Sequence, residues 1–120
     1  MATLDSGWHS VRCVFQASQD TLSGPDDLGP GESAYEERVT LWQTDSADRA
    51  IELAENEARH YASENGVEYL GMAQSYRLVV EPAEGAEVFS LIRKSDLEPG
   101  PYLDAFFDTG TEYQDSDADD

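Results

Sequence analysis

Apolar and polar positions alternate in several stretches of this chain. In "WHSVRCVF" (8–15), Val11, Cys13 and Phe15 fall on one side of an extended backbone, and Trp8, Ser10, Arg12 and Val14 on the other. "YEERVTLW" (35–42) puts Tyr35, Glu37, Val39 and Leu41 on one side and Glu36, Arg38, Thr40 and Trp42 on the other. In "VEYLGMAQSYRLVV" (67–80), Leu70, Met72, Tyr76, Leu78 and Val80 share a parity, and Gly71 marks a bulge. "VFSLIRKS" (88–95) is the last predicted strand, after a turn at "EPAEGAE" (81–87).

The period changes between the second and third of these stretches. In "TDSADRAIELAENEARHYASENG", Ala47, Ala50, Ile51, Ala54, Ala58, Tyr61 and Ala62 recur at helical spacing and make one apolar face. Asp45 or Ser46 caps the start by accepting free backbone N–H groups, and Asn65-Gly66 stops the helix. A face made mostly of alanine lets the helix lie close to a sheet. "DLEPGPYLDAFF" predicts a short helical turn entered at Pro101. The fold class is therefore α+β: an antiparallel four-stranded sheet in β-β-α-β-β order, with the helix on one face. The expected organisation is a short N-terminal extension (1–7), one domain over 8–112 with a mobile acidic loop at 18–34, and a disordered acidic tail at 113–120.

Read together, "WHSVRCVF", "YEERVTLW", "AIELAENEARHYA", "YLGMAQSYRL", "GAEVFSLIRKSDL" and "YLDAFFDTGTE" resemble the bacterial and archaeal family known as domain of unknown function 4288. The segments run in that family's order over about residues 8 to 112. The resemblance implies one compact α+β domain and carries no mechanism with it. The insert at 18–34 and the acidic tail depart from it.

Charge narrows the partners. Asp and Glu number 26 against 7 Lys and Arg, a net charge of -19 in 120 residues. Such a surface repels phosphate backbones, so nucleic acid is not an expected partner. The basic residues include a single lysine, Lys94. An acidic, lysine-poor composition suits a salt-loaded cytoplasm, where screening removes self-repulsion. A GC-rich genome, or an acidic protein that caps a basic target, would give a similar balance. No apolar run is long enough for a membrane helix, and "MATLDSGWHS" has neither the basic nor the apolar region of a signal peptide. The expected location is cytoplasmic. The lone cysteine, Cys13, excludes an internal disulfide.

Chemical motifs add little. Asp108-Thr109-Gly110 has the look of an aspartic-protease turn, but that chemistry needs paired carboxylates and supporting strands downstream. Only ten residues follow Gly110. The expected role of the segment is a turn, with Phe106 and Phe107 closing the edge of the core. His9 and His60 lie far apart and Cys13 reads as core, so no metal, cofactor or catalytic residue is assigned. One constellation stands out. Trp8, Arg12, Arg38, Trp42 and Arg77 all have the parity opposite to the apolar stripes. On a sheet covered on its other face they would form a Trp/Arg strip. Its readings are a binding face for a second copy or a protein partner, or a set of arginines holding a small anionic ligand in a sensor or enzyme. Arg–Glu pairing with tryptophan stacked upon it would produce the same pattern without binding. The expected function is that of a small non-enzymatic accessory protein that acts by binding.

Overall fold

The computed structural model describes residues 7–17, 29–112 and 114. The chain divides into two compact units, Met1–Ser90 and Leu91–Asp120. Expectations for residues 1–6, 18–28, 113 and 115–120 lie outside the described residues.

The first unit contains β1 (Trp8–Ala17), β2 (Ala34–Gln43), α1 (Ala47–Asn65) and β3 (Glu68–Arg77). The three strands form an antiparallel sheet in the order β2-β1-β3, so β1 is central and the other two are edges. Centrality fits the burial of β1, which contributes Val11, Cys13 and Phe15 to the core and also encloses His9 and Ser10. The β1–β3 register shifts between Cys13 and Phe15. Gly71, at φ 77°, takes the left-handed conformation in this part of β3, which a side chain would strain.

Helix α1 begins where the serine permits. The Ser46 hydroxyl accepts the Arg49 backbone N–H at 3.0 Å. Gly66 ends the helix at φ 69°, and Val67 N–H closes back on the Ala62 carbonyl at 3.1 Å. Ser46→Ala is expected to cost about 1 kcal/mol, read as a lower urea midpoint. The helix lies on one face of the sheet. Ala50, Ala54, Ala58 and Ala62 are buried against Val11, Cys13 and Phe15, with Trp42, Ile51, Tyr61, Val67, Tyr69 and Ala73 packed around them.

The predicted fourth strand is not formed. Residues 88–95 adopt neither strand nor helix, and the observed order is β-β-α-β-α with a three-stranded sheet. The segment has strand-forming residues, but such residues form a strand only when a neighbour supplies backbone bonds and side-chain contacts. Here β3 ends at Arg77, and a turn closed by Ala86 N–H on the Ala83 carbonyl (2.9 Å) comes between. Ile92 is left 92% exposed.

In the second unit, α2 (Pro99–Phe106) starts at a proline, two residues before the predicted entry. Arg93 lies over the Phe106 ring at 4.9 Å and donates to the Tyr102 hydroxyl at 3.3 Å. Asp108 N–H bonds the Leu103 carbonyl, and Thr109 N–H bonds the Glu112 carboxylate at 2.9 Å, so Asp-Thr-Gly is a turn. Phe106 and Phe107 do not close a core edge; they are exposed.

Candidate binding face

Directly paired residues of antiparallel strands point to the same face. The register sets Trp42 opposite His9, Thr40 opposite Val11 and Arg38 opposite Cys13. On the other edge, Arg77 lies opposite His9 and Ala73 opposite Cys13. Arg38, Trp42 and Arg77 therefore share the helix-covered face with Val11, Cys13 and Phe15. Trp8 and Arg12 lie on the opposite, open face. The expected Trp/Arg strip is thus divided between two faces, and Arg12, Arg38 and Arg77 do not converge.

The helix explains why β2 sits this way round. Its alanine face is thin, so bulk in the gap must come from the sheet. Arg38 fills it with its stem and stacked guanidinium, which lies 3.7 Å from the Tyr61 ring centroid and 5.8 Å from that of Phe15. Its two terminal nitrogens donate to the two Glu57 oxygens at 3.1 and 3.2 Å. The Tyr61 hydroxyl donates to Glu36 and the Tyr69 hydroxyl to Glu55, each at 2.6 Å. Trp42 donates its indole N–H to the Thr40 hydroxyl at 2.7 Å. Polar heads thus reach carboxylates on α1 and β2 while apolar bodies cover the core, which a fork-shaped, always-charged guanidinium does well. Arg38 is thus paired, but with a helix glutamate and stacked on tyrosine; the cross-strand Arg–Glu pair is Arg12–Glu37.

These bonds set an alkaline limit on stability. Burial, and then the bond to Glu36, push the Tyr61 hydroxyl from 10.0 up to about 12. Burial and the bond to Glu55 raise Tyr69 as well. Burial first of all raises the Cys13 thiol, which keeps it from acting as a ready thiolate. A raised value means that the folded state holds the proton more tightly than the unfolded chain. The contribution is complete below the unfolded value and is lost as pH rises through the folded one. The urea midpoint is therefore expected to fall from pH 10 to about 12, and less steeply in Tyr61→Phe. A midpoint that stays level across that window would refute this account.

The open face has a different character. From β1 it receives Trp8, Ser10, Arg12, Val14 and Gln16, and opposite them β2 presents Tyr35, Glu37, Val39, Leu41 and Gln43. From β3 come Glu68, Gln74 and Tyr76, with Leu70 and Met72 around the bulge. The apolar parities of β2 and β3 thus face away from the helix. Met72 is 64% exposed, Tyr35 62% and Val39 45%. Leu41 and Leu70 are also exposed. Arg12 is held among them. It meets Glu37 at 3.3 Å, donates to Gln74 at 2.6 Å and lies 5.0 Å from the Phe89 ring centroid. Phe89 in turn packs on Tyr76 at 6.1 Å. Beside Arg12 runs an open groove of about 340 Å³, lined by Val14, Met72, Ala73 and Gln74.

From sequence alone, the apolar stripes of β2 and β3 are expected on the covered face and the site on the opposite parity. The signal for an apolar open face was present in the same alternation. A sheet with apolar residues on both parities of neighbouring strands is apolar on both faces, and one helix covers only one.

Fold and site together define a small α+β domain with one sheet face covered by α1 and the other partly open, since Ser10 is buried there and Phe89 packs against Arg12 and Tyr76. Comparison with protein families, curated proteins and solved structures finds no match for the chain.

Proposed function

We propose that this chain is a non-enzymatic binding module that takes up an apolar protein surface on the open face of its sheet. The observation that carries the reading is the group Tyr35, Val39 and Leu41 on β2 and Leu70 and Met72 on β3, all exposed on or beside one face of the sheet, on either side of Arg12 and Val14. Contiguous apolar surface rimmed by polar residues is characteristic of interaction sites. Arg12 sits within it, already paired, and arginine with aromatic neighbours is enriched where interfaces gain most of their binding energy.

Two expectations from the sequence belong to the same reading. The order of the segments supports membership in the domain of unknown function 4288 family. The net charge of -19 supports a salt-rich cytoplasm as the setting.

Nile red, a neutral apolar dye, tests the face without interference from the acidic surface. At micromolar protein, wild type is expected to enhance its fluorescence several-fold. Val39→Arg is expected to abolish most of that gain while leaving the circular dichroism and urea midpoint unchanged, because Val39 is 45% exposed. Undiminished dye binding by the variant would overturn the assignment of the face.

A further inference from the structure

We infer that the occupant of the open face is a second copy of this chain, docked sheet to sheet. The inference rests on the proposal that this face binds, and names its partner. Charge distribution is the main argument. The outward positions of the three strands hold three charged side chains, Arg12, Glu37 and Glu68, a net charge of -1 in a chain of -19. Arg12 and Glu37 already pair with each other. The acid lies elsewhere: α1 alone carries Asp48, Glu52, Glu55, Glu57 and Glu64. A basic partner would be recognised by acid, and this face offers only Glu68, Glu37, which is paired with Arg12, and Glu87, which is bonded to Tyr76. A near-neutral apolar partner would fit, and the same face of another copy is such a surface.

The geometry allows it. Three strands of 10 residues make a face about 34 Å long and about 14 Å wide, but Ser10 on it is fully buried and Phe89 lies over Arg12 and against Tyr76, so only part of it is free. Two such patches in contact bury less than about 1,000 Å², the size of a weak, transient interface. Flat antiparallel sheets stack about 10 Å apart with strands within about 30° of each other, which suits Val14, Val39 and Met72 meeting their counterparts about a two-fold axis. The edge of β2 is a poorer route to association. Glu36, Glu37 and Arg38 lie in succession along it, and charge on an edge strand opposes further pairing.

Salt dependence follows from the same charges. At low ionic strength two bodies of -19 repel over about 10 Å; at 1 M salt the range falls to about 3 Å. Association is therefore expected to be weak and to strengthen with salt.

The test is light scattering on the full chain at about 0.1 M and about 2 M KCl, where screening lengths differ several-fold. Wild type is expected to move from 13.2 kDa towards twice that mass. Val39→Arg should stay monomeric, although it lowers the net charge. Ser63→Arg makes the same charge change on an exposed position of α1 and should dimerise like wild type. A monomer at both salts, or a dimer that Val39→Arg retains, overturns the proposal. Nile red separates the two claims. A monomeric wild type that still binds dye through Val39 overturns the second copy and leaves the binding face standing. A monomer that binds no dye overturns both. A monomer whose open face is protected from hydrogen exchange overturns the second copy in favour of cover from within the chain.

Discussion

Phe15→Ala is expected to remove about 3–5 kcal/mol, close to the whole stability of a marginal domain of this size. Phe15 is fully buried on the central strand and is among the largest completely enclosed side chains. Its ring meets Tyr61 edge-on at 5.1 Å and Tyr69 at 5.4 Å, and the Arg38 guanidinium lies 5.8 Å from its centroid. Tyr61 and Tyr69 in turn hold carboxylates on β2 and α1. Truncation removes buried apolar area and leaves a cavity that alanines on the helix are too short to fill. A urea titration reads the effect as a large fall in midpoint. A loss below about 1 kcal/mol would mean that the site collapses around the gap, and that Phe15 does not join helix to sheet.

The second large effect has the opposite cause. Ala54→Leu is expected to destabilise by about 1–3 kcal/mol or more through overpacking. Ala54 is 1% exposed and sits between Ala50 and Ala58 on the line of helix residues nearest the sheet. Extra methyl groups there must push α1 away from β1, and Arg38 would lose its stacked position over Tyr61. Ala47→Leu, at an exposed position of the same helix, is the control. It should stay within about 0.5 kcal/mol of wild type, because alanine and leucine differ little in helix propensity. Equal effects at the two positions would refute the close approach of helix and sheet. The proposed binding face lies on the other side of the sheet. A folded Ala54→Leu population should therefore still bind Nile red.

The network under the helix and the open face are two results of one register. Turning β2 over by one residue would carry Val39 and Leu41 beneath α1 and send Arg38 and Trp42 outward. The domain would then have a conventional apolar core and a charged outer face. It would also lose the Arg38–Glu57 fork and the Tyr61–Glu36 bond, and α1 would face branched apolar residues in place of long amphipathic ones. The observed register leaves the most apolar part of the edge strands uncovered. That choice makes binding at this face the function best supported by the geometry.

The sequence by itself determined the elements whose signals are local. Helix α1 was legible to within a residue or two because Ser46, the alanine periodicity and Gly66 act within single turns of backbone. The three strands and the Gly71 bulge were legible because alternation and a left-handed glycine are properties of neighbouring residues. Only the tertiary structure decided which parity of each strand meets the helix. The connection from β1 to β2 runs across residues 18–33, too long for turn chemistry to set the pairing, so the register depends on what packs under α1. The same dependence on distant partners decided residues 88–95, where a strand-forming pattern found no strand to join. The Trp/Arg strip failed for this reason: parity along one strand is local, but the sharing of a face between strands is a matter of pairing.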